Sequence, residues 1–223
     1  MEKIENIPIR FSIEEIKGAL RTQNAEQVQN LLDIALPLIR ARAVYRVCFI
    51  EEKLENALVL ERIRLTSQVL RKNLDEVGRV FPYVVTIGSE LEERACGSKD
   101  LLENYYLDLI GNMALRKSRD YLEGHLRSRF ALDGMSFMSP GSLPDWPIEE
   151  QRQLFSILQG VEQSIGVRLN ESLLMIPRKS VSGIYFPTEI KFYSCQLCPR
   201  GICEGRKAPY DEALARKMLQ SKP

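Results

Sequence analysis

The chain has 223 residues, 44% hydrophobic and 27% charged, with 31 Lys and Arg against 30 Asp and Glu and a net charge of +1. That is enough apolar material for one large domain with a real core, and the near-zero charge leaves no global field to draw nucleic acid or an anionic membrane surface. The first twenty residues lack a signal peptide's apolar core and cleavage site, no run approaches the roughly 18 apolar residues of a membrane helix, and five cysteines, an odd number, suit a reducing compartment, so a cytoplasmic location is expected.

In chain order, "SIEEIKGALRT" has Ser12 and Glu15 at capping-box spacing, and "NAEQVQNLLDIALPLIRARA" carries Val28, Leu31, Leu32, Ala35 and Leu36 at helical period until Pro37 kinks or divides it. "AVYRVCFI" and "ALVLERIRL" read as strands either side of a polar turn around Lys53–Asn56, and "SQVLRKNLDEVG" as a short amphipathic helix ending at Gly78. "VFPYVVTI" predicts a buried strand, followed by a turn at Gly88 and a helix capped by Ser89. The longest helix is predicted over 99–130, with Leu102, Tyr106, Leu109 and Met113 on one stripe. A loop "SPGS" precedes a helix "PIEEQRQLFSILQGVEQSI" that has Pro147 in its first turn. "VRLNESLLMI" and "SVSGIYF" read as strands paired around a turn "PRKS", and a cysteine-rich tail leads to a last helix over 208–219. The expected fold class is α+β, a single domain with a twisted, mainly antiparallel sheet and flanking helices. The expected divisions are a helical extension over 1–42, the domain proper over 43–193, and the tail with its helix over 194–223.

No catalytic triad, phosphate loop or zinc-hydrolase helix is present. The chemistry concentrates at "MSPGSLPDW" and "IGVRLNESLLMIPRKSVSGIYF", where glycine, proline and small hydroxyl residues punctuate apolar strands. Glycine lets backbone approach a ligand closely, although the same residues also serve as plain turn punctuation. These two segments resemble the activation domain of cobalamin-dependent methionine synthase, which has a Pro-Gly loop, a helix, a strand of type "LTES" and a "SVSGWYF" strand. Upstream, "YVVTIGSELEE" and "MALRKSRDYLEGHL" are similar to its "AVTGGLEE" segment and long helix, so the likeness runs from about Ala43 to Tyr193. The resemblance implies a C-shaped domain that binds S-adenosylmethionine beside the cobalamin of a partner domain. The cofactor-contacting positions it implies are Pro140, Gly141, Glu171, Ser180, Ser182, Gly183, Tyr185 and Tyr193. No catalytic side chain is implied, because the metal is the nucleophile and the sulfonium the electrophile. Three positions depart from the pattern. Phe137 stands where the family has an arginine for the ligand carboxylate, Ser142 replaces a tyrosine, and Arg116 replaces an acid, leaving Arg116 and Lys117 as candidate carboxylate partners.

The tail holds Cys195, Cys198 and Cys203 at C-x2-C-x4-C spacing, which suits zinc or an iron–sulfur cluster with a fourth ligand from elsewhere; the other reading is free thiols. Cys48 is expected in the core, His125 solvated or capping its helix, and Trp146 packing the loop onto the sheet. Two functions follow. One is a free-standing activation protein, accessory to a methionine synthase or other corrinoid protein, that assists reductive methylation with S-adenosylmethionine as methyl donor and a flavodoxin or ferredoxin as reductant. The other is a non-catalytic corrinoid-protein-binding or iron–sulfur electron-transfer module.

Overall fold

The computed structural model describes residues 1–203 and 205–219. The chain opens with β1 (Glu2–Ile4) and α1 (Ile13–Leu20), whose first turn is held by the Ser12 hydroxyl accepting the Glu15 N–H at 3.2 Å. Asn24 caps α2 (Ala25–Ala35) likewise, and Pro37 ends it in a single 3₁₀ turn before β2 (Arg42–Tyr45). After β3 (Cys48–Phe49) and β4 (Glu52–Lys53), the run expected as one strand is a hairpin, β5 (Ala57–Leu60) and β6 (Ile63–Thr66). Glu61 and Arg62 both take left-handed backbone angles, φ 53° and 64°, which is the turn that joins strands through two residues. Ser67 caps α3 (Gln68–Asn73), and β7 (Arg79–Thr86) leads to α4 (Glu90–Cys96). Ser89 makes no capping bond, since its ψ of −22° is already helical.

Asp100 accepts the N–H groups of Leu102 and Glu103 and starts α5 (Leu101–Phe130). Its buried stripe is Leu107, Ile110, Gly111, Ala114, Ser118, Leu122 and Leu126, rotated from the expected one; Leu102 is half exposed, and Tyr106, Leu109 and Met113 flank the stripe. Then come β8 (Met135–Met138), α6 (Gln151–Leu158) and α7 (Val161–Ile165), the last two separated where Gln159 and Gly160 both have positive φ. β9 (Arg168–Leu169) and β10 (Met175–Ile176) pair with each other, so the hairpin expected between "LLMI" and "SVSG" does not form. Instead β11 (Ser180–Pro187) pairs antiparallel with β7 on one side and β8 on the other, and α8 (Glu212–Leu219) ends the described chain.

The main sheet runs β1-β2-β7-β11-β8, all antiparallel, with β3 also on β7, which gives the α+β class read from the sequence. Its central strands, β7 and β11, are buried on both faces because both faces are covered. One face packs Tyr83, Val85 and Tyr185 against α1, α2, α4 and α5; the other packs Val80, Ile184 and Phe186 against α3, α6, α8 and the β5–β6 hairpin. Cys48 lies in this second core, fully buried, and burial pushes its thiol up to about 12. Residues 1–42 join the sheet through β1 on β2 and the first core through α1 and α2.

Candidate functional site

β8 stops at Met138 while β11 continues past it, so among the described residues the edge of β11 over Ser180–Ser182 has no strand paired to it on that side. The chain leaving β8 turns sharply there. Gly141, at φ +81°, donates its N–H to Trp146 O at 2.7 Å, and Ser142 closes the turn onto Ser139 O through both its N–H (3.1 Å) and its hydroxyl (2.6 Å). Trp146 anchors the loop, fully buried in the second core, as its place among prolines predicts. Asp145 fixes the loop from the other side by accepting from Ser67 Oγ and from the N–H groups of Gln68 (3.2 Å) and Val69 (2.9 Å) at the start of α3. Local sequence did not reveal that anchor, because its partners lie more than seventy residues away.

Between this loop and the open edge lies a cleft of about 360 Å³, lined by Ser139, Pro140, Ile148, Gln151, Met175 and the edge residues of β11, among others. Three of the expected residues, Pro140, Ser180 and Ser182, therefore face one space. Ser182 donates to Gln151 Oε1 at 2.6 Å inside the protein, while Ser180 Oγ lies 2.7 Å from Pro177 O and 2.9 Å from Thr86 Oγ1. The "PRKS" turn at the far wall is tied down by ion pairs of Arg178 with Glu92 on α4 and of Lys179 with Asp108 on α5, the latter at 2.7 Å.

The remaining expected residues are placed otherwise. Gly183 sits under Tyr83; a Cβ there would come within 2.4 Å of Met138 O, 2.8 Å of Ser139 Oγ and 3.1 Å of Tyr83 Oη. Tyr185 is buried in the first core, stacked on Tyr83 at 4.6 Å and donating to Arg119 O at 3.2 Å. Glu171 is exposed at the β9–β10 turn and does not line the cleft. Tyr193 is half-buried where the tail begins. His125 is not free in solvent: its Nε2 lies 3.3 Å from Tyr45 Oη.

The cysteine spacing does not become a cage. Among the described residues no group of three or more His, Cys, Asp or Glu side chains is placed to hold a metal ion. The physical reason is Arg206. Its guanidinium fills the tail loop, donating to the carbonyls of Cys195 (3.2 Å), Ala208 (3.2 Å), Cys198 (3.3 Å) and Arg200. The loop thus closes around a cation from its own sequence, with Cys195 Sγ accepting the Lys207 N–H at 3.4 Å and Cys203 exposed.

Residues 139–203 match the family model of the vitamin B12 dependent methionine synthase, activation domain. Among solved structures the chain is similar to the crystal structure of the MetH reactivation domain bound to AdoHcy, with 17% identity over 86% of this chain and 80% of that one and a TM-score of 0.60. At that identity the likeness is one of fold, and the matched segment contains both the turn and the strand edge that make the cleft. The chain resembles the methionine synthase activation domain, sharing the fold of a MetH reactivation domain and, over residues 139–203, the sequence pattern of the activation-domain family.

Proposed function

We propose that this chain assists reactivation of a corrinoid cofactor carried by a methionine synthase or another corrinoid protein, holding S-adenosylmethionine in the cleft beside β11. The observation that carries the reading is the cleft itself, at an unpaired strand edge, within the segment matched to the activation-domain family. Its volume of about 360 Å³ falls in the range of small-molecule sites, roughly 300–1,000 Å³. S-adenosylmethionine, when bound, supplies an electrophilic methyl group to the reduced cobalamin of the partner, the electron coming from an external flavodoxin- or ferredoxin-type donor.

The chain's own contribution is placement. The strand edge presents backbone groups in a fixed row, and Gly141 keeps the loop backbone free of a Cβ next to the cleft. Ser182 donates to Gln151 Oε1, which fixes the amide in the wall of the cleft. Leu174, which lines the cleft, and Ile176 on β10 are exposed apolar side chains that give the docking face for the partner's cobalamin-binding domain. No side chain need move a proton, since the transfer passes from sulfur to metal.

The test is calorimetric titration of the full chain with S-adenosylmethionine, read together with amide chemical shifts. Micromolar binding that moves the Ser139–Ser142 and Ser180–Ser182 signals is expected. No heat and no shifts at millimolar ligand would end this reading.

A further inference from the structure

Phe137, on β8, carries two cations. The Arg119 guanidinium from α5 lies 4.5 Å from its ring centroid, and Lys207 Nζ from the tail lies 5.3 Å from the same point. Two positive charges that share one ring are within about 10 Å of each other, one Debye length at 0.1 M salt. Arg116 and Lys191 act on the same place: burial first, then Arg119, Arg116 and Lys191, hold Lys207 below the usual lysine range, with Asp120 pulling the other way. The acids present do not balance them. Glu123 is taken by Lys191 at 2.7 Å, and Asp120 reaches Arg119 only at 3.5 Å. Among the described residues neither Lys207 nor Arg116 has an acid within ion-pair distance.

One buried donor at this spot is also unpartnered. Arg119, whose side chain is 13% exposed, has a buried Nε without an acceptor. Tyr83, with no exposed surface, ends in a hydroxyl beside that of Ser139. Buried donors are rarely left unmade, and each costs free energy until something accepts from it. An oxyanion is the acceptor that suits such a pair of cations. Its distance from the cleft is set by the strand: Ser139, which lines the cleft, is two residues beyond Phe137, about 7 Å along an extended chain. Ser139 Oγ and Tyr83 Oη both crowd the Gly183 position, so they lie on one side of the sheet.

We propose that Arg119 and Lys207, set around the Phe137 ring, form a carboxylate-binding site that holds the amino-acid end of the ligand whose nucleoside end occupies the cleft. This rests on the reading of the cleft given above. It assigns a base from α5 and a base from the tail to the task for which the resemblance expects a residue at position 137. Lys117 is not part of it, because its ammonium is paired with Glu15 at 3.0 Å and lies over Phe11.

The test uses two ligands that differ by one carboxylate, S-adenosylmethionine and its decarboxylated analogue, titrated into the full chain and into the Arg119→Met and Lys207→Met variants. The wild-type chain is expected to prefer the carboxylate-bearing ligand by about tenfold or more, and the preference to shrink as salt rises. Each variant is expected to lose about tenfold for that ligand and to bind the decarboxylated one as the wild type does. Lys207→Met removes a surface side chain and carries the test alone if Arg119→Met does not fold. Equal affinity of the wild type for both ligands would overturn the carboxylate site and leave the cleft standing. Equal weakening of both ligands by Lys207→Met would overturn it too, showing a structural role. Binding of neither ligand to the wild type would overturn the cleft and this site together.

Discussion

Replacing Gly183 by alanine should destabilise the protein by opening the seam between β8 and β11. The added Cβ would stand 2.4 Å from Met138 O, where ordinary contact begins at 3.4 Å, so one strand must retreat from the other by about 1 Å. The obstacle is backbone, which has no rotamer to escape into; the Ser139 and Tyr83 side chains that also meet the methyl could turn away. The ladder of four residue pairs between β8 and β11 would bear the shift, at a cost of about 2–3 kcal/mol, the usual range for forcing a methyl into a packed interior. For a domain of this length that corresponds to a fall in Tm of roughly 4–12 °C. Gly124→Ala is the control. It lies inside α5 with nothing within 4 Å of the added methyl, and should stabilise by about 0.5–1 kcal/mol through helix propensity alone. Differential scanning calorimetry on the three proteins measures both. A Gly183→Ala protein melting with the wild type would refute the claim that glycine is required there by packing.

Ser182→Ala leaves Gln151 Oε1 buried without its donor and should cost about 1–3 kcal/mol by denaturant titration, most of it recovered in the Ser182→Ala, Gln151→Met double variant. Glu103 is held below its ordinary value of 4.5, first by the Ser98 hydroxyl and then by Arg94, whose guanidinium reaches it at 2.9 and 3.2 Å. A depressed folded pKa stabilises above the unfolded value and is lost as pH falls through the folded one. Glu103→Gln should therefore be less stable than wild type at pH 7, by about 0.5–1 kcal/mol, with the difference shrinking as pH falls below the ordinary carboxylate value of 4.5. Timed alkylation with mass spectrometry should label exposed Cys96 and Cys203 first and half-buried Cys195 and Cys198 later. Cys48, buried and with its thiol pushed up to about 12, should react only on unfolding.

What local chemistry determines could be read from the sequence. The cap at Ser12, the stop at Pro37, the buried strand over 79–86 and the glycine turn at 141 each depend on a few neighbouring residues. Features set at long range escaped the reading. The Glu61–Arg62 turn has neither Gly nor Asn to signal it; its left-handed residues are held by Arg46, paired with Glu61 at 2.6 Å, and by Glu51, which accepts the Arg62 N–H at 3.1 Å. The stripe on α5 was misjudged because helices and sheet press on that helix from several sides, so the apolar residues alone do not mark its centre. At the site, the turn and the strand were legible and their joining was not. β11 pairs with β7 and β8, both far back in the chain, and only that pairing leaves its edge open beside Pro140.

The tail shows how one spacing supports two chemistries that only folding separates. C-x2-C-x4-C brings its residues around a centre that suits a cation, whether the cation is a metal or a guanidinium. Here Arg206 supplies it, and the acceptors turned inward are carbonyls, which take the guanidinium's N–H groups as hydrogen bonds. Once Arg206 is fixed inside the loop, its neighbour is fixed outside it, and Lys207 comes to lie over Phe137. An aromatic ring at 137 offers the two cations a face in place of an acid, so they can be held close without being neutralised. An acid at that position would pair with them and close the site, whereas the ring leaves their charge available to a ligand. The departure from the family pattern at position 137 thus coincides with two cations brought to one ring, from α5 and from the tail.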